Sequence, residues 1–450
     1  MMNGYISKYA TATVPRYTSY PPATRFHAGI DEATYKSWLR AIGPEETLSL
    51  YVHIPFCTTL CWYCGCHTTV PNCHERVVDY ISALEQEIAL VAKEVPKSAR
   101  VVHLHFGGGT PNALKPKTLA TLIDFLRSKF SFTDDAELAV EADPRTLTDD
   151  HISVIAMTKN ARVSLGVQDV SADVQTLINR EQPFEVVQSA VARLRLAGIA
   201  NVNVDLMYGL PGQTVGHVRR SASAVADLGP DRLAVFGYAH VPWFKKNQMA
   251  IDETKLPDGE ERLRQIEATS DELFRCGYAK IGLDHFAKPG DPLRTAQTEG
   301  RLRRNFQGYT VDPASVLIGF GASSIGEFPQ GYAQNEPHLG RYKAALAENR
   351  LPTARGIETN DEDHQVRAVI ERLMCDLAVD LECLGPPSAV SADMTEAAIR
   401  ALDPLIRDGL VRCDGHKVEA TELGSNYIRN IAACFDPHHT TMKGRHSRAI

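Results

Sequence analysis

Cys57, Cys61, Cys64 and Cys66 fall within the single stretch CTTLCWYCGC. Thiolates are nucleophiles and soft metal ligands, so their clustering in one loop points to metal or redox chemistry ahead of simple burial. A zinc site takes four ligands in tetrahedral order, typically as two separated pairs. Here Cys73, His67 or His74 could complete one. An iron–sulfur cluster takes thiolates grouped as these are, although the C-x3-C-x2-C spacing differs from the usual ferredoxin patterns. Three thiolates on a four-iron cube leave one iron free for a substrate or cofactor. Spacing alone leaves both metals open.

Six short β-branched runs would have to position this loop and its neighbours. They are SLYVHIPF (49–56), VVHLHFGG (101–108), ELAVEADP (137–144), RVSLGVQD (162–169), NVNVDLMYG (201–209) and RLAVFGYA (232–239). Helical periodicity separates them at 77–94, 117–130, 184–197 and 214–227. Strand–helix–strand repetition predicts parallel strands joined by right-handed crossovers. The expected fold is α/β, an incomplete parallel (β/α)6 barrel resembling three quarters of a TIM barrel, with an open doubly wound sheet as the alternative. Polar groups then collect where each strand ends: Cys57, Gly107 to Thr110, Glu141 and Asp143, Gln168, Asp205 and Tyr208, and Tyr238 to His240. Carboxyl ends of parallel strands are where such sheets build their sites.

The chain has 450 residues, 44% hydrophobic and 23% charged, enough for a sizeable core and unlike a disordered protein. No apolar run reaches membrane-spanning length, and the opening MMNGYISKYATATVPRYTSYPP lacks the apolar centre of a signal peptide. A cytoplasmic location is expected, where ten cysteines would stay reduced. Net charge of -7 disfavours nucleic acid as a partner. Residues 1–48 read as an arm poor in periodicity, 49–290 as the partial barrel and 291–360 as barrel extension and linker. Residues 361–436 read as a mainly helical domain, with a winged-helix-like hairpin at Asp414-Gly415, and 437–450 as a flexible tail. The 361–436 segment holds 15 acids against 7 Lys and Arg, so packing or a lid role outweighs DNA binding. His438 and His439 read as tail residues before metal ligands, and a monomer is expected.

C-x3-C-aromatic-x-C after a first strand, with GGGTP (107–111) after the second, resembles the radical S-adenosylmethionine superfamily. That resemblance implies a 4Fe-4S cluster on Cys57, Cys61 and Cys64, with the open iron holding S-adenosylmethionine. Tyr63 matches the position that meets the adenine. The resemblance narrows across the chain through PRYTSYP (15–21), YVHIPFC (51–57), EADPR (141–145), GVQD (166–169), INREQ (178–182), DLMYGLPGQT (205–214), YAHVP (238–242), GLDHFAKP (282–289) and RNFQGYT (304–310). Together these resemble oxygen-independent coproporphyrinogen III oxidase, whose members convert two propionates of coproporphyrinogen III to vinyl groups in haem synthesis.

Carried over position by position, the resemblance implies two molecules of S-adenosylmethionine on Tyr51, Tyr63, Gly108, Gly109, Thr110, Glu141, Gln168, Arg180, Asp205, Ala239 and Ile325. It offers Cys66 and Tyr20 as catalytic residues. Cys66 cannot ligate the cluster, since a fourth thiolate would cap the iron that the cofactor needs; a small filler is its bland alternative. Met207 and Gly237 replace the familiar Ile and Asn. A tetracarboxylate also calls for cations, with Arg16, Arg25, Lys288, Arg303 and Arg304 as candidates. An electron donor and a final acceptor are implied and unidentified. Haem-binding chaperones share the barrel but generally lack the C-x-C ending and the PRYTSYP arm, and they form the rival reading.

Overall fold

Two-residue alternation decides how the first strands stand. In β1 (Thr47–Ile54), Leu48, Leu50, Val52 and Ile54 are fully buried on one face, and Ser49, Tyr51 and His53 occupy the other. The same split recurs most clearly in β5 (Asn201–Tyr208) and in parts of β2 (Arg100–Gly108), β3 (Ser131–Ala142) and β4 (Ala161–Gln168), while β6 (Arg232–Gly237) is buried throughout its first four residues. Apolar faces pack under the crossover helices Glu75–Glu94, Pro116–Lys129, Asp149–Ala156, Phe184–Leu196 and Val215–Asp227. Polar faces turn to the inside of the curve. The structure, a computed structural model, describes residues 5–384 and 392–439.

β1 to β6 pair in parallel, in chain order, as expected. The sheet is wider than six strands. Beyond β6 lie β7 (Ala279–Ile281) and β8 (His285–Ala287), with β8 antiparallel to β6 and β7 antiparallel to β8. After a small hairpin of β9 (Arg303–Asn305) and β10 (Gly308–Thr310), the chain returns to the other side of β1. There β11 (Val316–Phe320) adds a seventh parallel strand, followed by antiparallel β12 (Ile325–Phe328), β13 (Gly331–Asn335) and β14 (Thr353–Glu358). These occupy the stretch expected to be extension and linker. Three- to six-residue runs carry too few repeats for periodicity to separate strand from buried helix. The ladder ends at β14 on one side and β7 on the other and does not close.

The N-terminal segment is more regular than its composition suggested. A helix, Glu32–Arg40, starts where the Asp31 carboxylate accepts from the Thr34 amide at 2.8 Å, and it buries Tyr35, Trp38 and Leu39. Residues 361–436 include helices Asp361–Asp376, Ala392–Arg407 and Ile428–Ala433, with β15 (Ala378–Asp380) joined to the hairpin β16 (Val411–Asp414) and β17 (Lys417–Ala420). Gly415 turns the hairpin at a φ of 59°. The expected flexible tail lies, from residue 440 onward, outside the described residues. No helix among the described residues is long and apolar enough to cross a membrane.

Charges plug the amino-terminal end of the curved sheet. A bulge in β2 brings His103 opposite Ser49 and Glu137. The His103 ring lies 3.5 Å from Asp312 and 3.4 Å from Glu137, whose carboxylate takes two bonds from Arg162 at 3.0 and 2.8 Å. Ser49 donates to Asp312. Burial opposes a charge on His103, yet Asp312 and Glu137 outweigh it and lift the imidazole to about 9. Stability from this pairing is complete below the ordinary 6.5 and disappears as pH rises through about 9. His103→Gln should therefore cost on the order of 3 kcal/mol near neutral pH and much less by about pH 10. Thermal melts of both proteins across that range check this, and a gap that does not shrink would show the ring to be neutral.

Candidate active site

The cysteine loop is held from several sides. Phe56 and Thr69 form an isolated bridge, with Cys57 N donating to Thr69 O at 3.0 Å and Thr69 N to Pro55 O at 2.9 Å. One amide, Asn247 Nδ2, donates to the carbonyls of Cys61, Trp62 and Cys64 at 3.3, 3.1 and 2.9 Å. Gln248 Nε2 holds Tyr63 O at 2.9 Å and Ala239 O at 3.2 Å, and Lys245 Nζ holds Cys66 O at 3.0 Å. These three residues follow β6 and belong to no motif read from the sequence. Their side chains replace the ladder bonds that an irregular loop lacks.

Thiols of Cys57, Cys61 and Cys64 are unoxidised and differ in surroundings. Thr68 Oγ1 donates to Cys57 Sγ at 3.2 Å, while burial pushes that thiol up to about 11. Cys61 is buried and takes Arg180 Nη1 at 3.5 Å and Arg145 Nη2 at 3.9 Å. Hydrogen bonds from Cys66 hold the Cys64 thiol below its ordinary range, helped by Lys245 and Arg180. Cationic and N–H donors around sulfur suit thiolate ligands. Among the described residues no three His, Cys, Asp or Glu side chains converge on one ion. Cys66 is exposed at the edge of the loop, its amide 3.4 Å from Cys64 Sγ.

Opposite the thiols, the end of β2 is tied to the same loop. Gly109 N donates to Ile54 O and Thr110 N to Phe56 O, both at 2.8 Å. Gly108 has a φ of 114°, reserved for glycine, and a Cβ on Gly109 would lie 2.4 Å from Thr68 Oγ1 and 2.5 Å from Phe56 O. The bare strap can therefore lie directly against the cysteine loop. It fits the close backbone approach that an amino-acid ligand on the open iron needs. Glu141 accepts from Gly108 N at 3.2 Å and from His105 at 3.1 Å, and these bonds, against burial, hold its carboxyl below the usual range.

Most of the expected cofactor residues meet here. Tyr51 faces inward on β1, its hydroxyl 3.1 Å from His53 Nδ1. Gly319 of β11 pairs with Tyr51, and Ile325 stands just beyond the turn that follows β11. Gln168 ends β4 at a φ of 73°, a strained backbone for a non-glycine residue. Burial and the nearby Glu141 push Asp205 up to about 7, and no hydrogen bond to its carboxylate exists among the described residues. Arg180 has a buried Nε without a partner. Tyr63 and Ala239 share Gln248. Thr110 is brought close, although its hydroxyl is engaged with Asn112 at 2.5 Å and with Asp143 N at 3.0 Å.

Asp143 is engaged, with Arg145 at 2.6 Å and Arg180 at 3.4 Å, and it aims both guanidinium groups at Cys61. One expectation needs correction. Tyr20 is not brought to the thiols. It is 2% exposed in the seam between arm and C-terminal region, with its hydroxyl 3.3 Å from Asp436. Of the cation candidates, Lys288 is spent on Gly229 O and Asp231, and Arg303 on the carbonyls of Asp312 and Ala314. Arg25 lies in the short 3-10 turn of the arm. Arg16 and Arg304 line a cavity of about 760 Å³ that runs from the end of β6 under the arm, together with Arg262 and Arg429, which the sequence did not single out.

The radical SAM superfamily model matches residues 51–225. The oxygen-independent coproporphyrinogen III oxidase of Bradyrhizobium diazoefficiens is 45% identical over 443 residues, covering 98% of each chain. That of Paracoccus denitrificans is 40% identical over 441 residues, covering 98% of this chain and 97% of the relative. The solved structure of coproporphyrinogen III oxidase (HemN) from Escherichia coli, described as a radical SAM enzyme, matches with a TM-score of 0.89 and 39% identity over 94% of this chain and 97% of that one.

Gly109→Ala tests the strap. Its Cβ can be accommodated only if β2 and the cysteine loop separate, so S-adenosylmethionine affinity should fall at least about tenfold. Equilibrium binding to anaerobically prepared protein reads this, and unchanged affinity would remove the strap from the site.

Proposed function

Because the chain belongs to the oxygen-independent coproporphyrinogen III oxidases of the radical SAM superfamily, we propose a role for each residue of its site. The chain is an oxidoreductase of haem biosynthesis that decarboxylates coproporphyrinogen III without oxygen. The observation that supports these residue roles best is the union of three thiols and a glycine strap at one rim, in a chain related to these enzymes over nearly its whole length.

Cys57, Cys61 and Cys64 would hold the 4Fe-4S cluster, with S-adenosylmethionine against the strap. When bound, the cluster and S-adenosylmethionine supply the electron and the radical that removes hydrogen from a propionate. The backbone of Gly108 and Gly109 receives the ammonium and carboxylate of methionine. Glu141, oriented by Gly108 N and His105, and Asp205, whose carboxylate has no partner among the described residues, accept ribose hydroxyls. Arg180, fixed by Asp143, presents its unpartnered Nε to a carboxylate of a second S-adenosylmethionine and keeps positive potential on Cys61. Gln168, Tyr51, Tyr63, Thr110, Ala239 and Ile325 shape the two pockets and exclude water from the radical. Cys66, beside Cys64 and outside the ligand set, handles a proton or electron late in the reaction. Tyr20 acts as a positioning residue that holds the arm through Asp436. A cytoplasmic monomer, served by a separate electron donor and final acceptor, completes the reading.

The deciding assay combines anaerobic enzyme, coproporphyrinogen III, S-adenosylmethionine and a reductant. Protoporphyrin fluorescence after oxidation is the expected outcome; tight haem binding without product would support a chaperone instead. Serine at Cys57, Cys61 or Cys64 should abolish the brown chromophore. Cys66→Ser should keep near-normal iron and S-adenosylmethionine binding and lose at least about nine tenths of turnover. Undiminished turnover would make Cys66 a filler, and loss of iron would overturn the ligand assignment.

A further inference from the structure

We propose that Glu87, buried behind the sheet, is a positioning residue for the second S-adenosylmethionine, because it fixes the turn Gly321–Ser324 and with it the place of Ile325 at the rim. This rests on the two-molecule reading above.

β11 runs parallel to β1, so its exit opens onto the same rim as the cysteine loop. The turn that leaves it is tight. Gly321 has a φ of 94°, and a Cβ there would lie 2.4 Å from the Tyr80 hydroxyl and 2.7 Å from His53 O. Ser323 takes a φ of 67° without being glycine. The chain then doubles back so closely that a Cβ on Gly319 would lie 2.7 Å from Ile325 O, and Gly319 is the position that pairs with Tyr51. Two expected cofactor residues are thus set relative to each other by one turn.

The first two amides of that turn lie beyond the ladder, and helix Glu75–Glu94 satisfies both. Glu87 Oε2 accepts from Gly321 N at 2.8 Å, and the Tyr80 hydroxyl accepts from Ala322 N at 3.1 Å while donating to His53 O at 2.7 Å. The Glu87 carboxylate also accepts from Asn335 Nδ2 and from the Tyr342 hydroxyl, both at 2.5 Å. Asn335 Nδ2 lies 3.0 Å from Gly321 O and from Ser324 Oγ as well. Glu87 is 1% exposed, and burial raises its carboxyl to about 7 against three hydrogen bonds that favour the charge.

All three of those partners are neutral. A buried carboxylate without a cation beside it is destabilising, and an apolar side chain would join this helix to the sheet at less cost. Only a group that accepts at both oxygens can gather donors from the turn, from β13 and from helix Leu339–Ala347 at one point. Glutamine has the same shape but would turn its Nε towards either Gly321 N or Asn335 Nδ2, and flipping Asn335 to meet it forfeits the bonds to Gly321 O and Ser324 Oγ. The turn loses its fixed position, and Ile325 moves with it.

Equilibrium binding of labelled S-adenosylmethionine to the anaerobic full chain, with its cluster, tests this. The molecule on the open iron is identified by the change it makes in the electron paramagnetic resonance of the reduced cluster. Glu87→Gln should keep that change and hold the first affinity within about twofold, while weakening the second molecule about tenfold. Tyr342→Phe removes one donor, keeps the ring and should act in the same direction by about threefold. It carries the test if the Glu87→Gln protein does not fold. A general loosening would weaken both molecules together, and that result, like unchanged affinity for both, overturns the proposal. Parent protein that binds a single molecule overturns the two-molecule reading and the proposal with it.

Discussion

A curved parallel sheet with a polar concave face must be held by something other than apolar burial on that side. Here the ion-paired floor of His103, Glu137, Arg162 and Asp312 does so, with Arg232 and Asp291 paired at 2.7 Å nearby. Filling the same space with branched apolar side chains would be favourable for stability and fatal for access, because packed layers would occupy the lumen where ligands belong. Charges at the base allow the upper lumen to stay lined by Tyr51, Glu141, Asp205 and Arg180. Helices on the convex side supply the hydrophobic stabilisation.

Above that floor, the cysteine loop is positioned by side-chain amides. A loop that must offer sulfur to metal cannot also join a strand ladder, and its carbonyls still need donors. Asn247 and Gln248 satisfy four of them from a segment about 180 residues further on. The price of this arrangement is that a substitution after β6 would disturb the thiols without touching them.

Six strands and their shared rim were legible because a two-residue period over six to eight positions is hard to mimic, and parallel order follows from the helices between. Thiol spacing was legible as chemistry, and the choice between zinc and a cluster rests on membership of the radical SAM superfamily. Substrate identity came from resemblance. Helix Glu32–Arg40 could have been found from the Asp31 cap and the Tyr35, Trp38, Leu39 spacing, but the surrounding Pro and Tyr masked it. What sequence could not show was partnership at a distance. Asp143 read as an available carboxylate until Arg145 and Arg180 were seen on it, and Tyr20 read as catalytic until Asp436, 416 residues away, was found at its hydroxyl. Arg262 and Arg429 belong to helices whose other residues give no hint of a cavity.

The arm's fastening sets an order on how the molecule is made. Ile6 N meets the Tyr427 hydroxyl at 2.9 Å, Tyr9 meets Asp408 at 2.6 Å, and Val14, Pro15, Tyr17 and Tyr20 all find their partners at Arg429 or Asp436. These contacts join segments synthesised about four hundred residues apart, so a nascent chain exposes the arm long before the ribosome delivers what secures it. Through that interval the barrel strands can pair while the cavity lacks the wall formed by Thr13, Arg16 and Thr18.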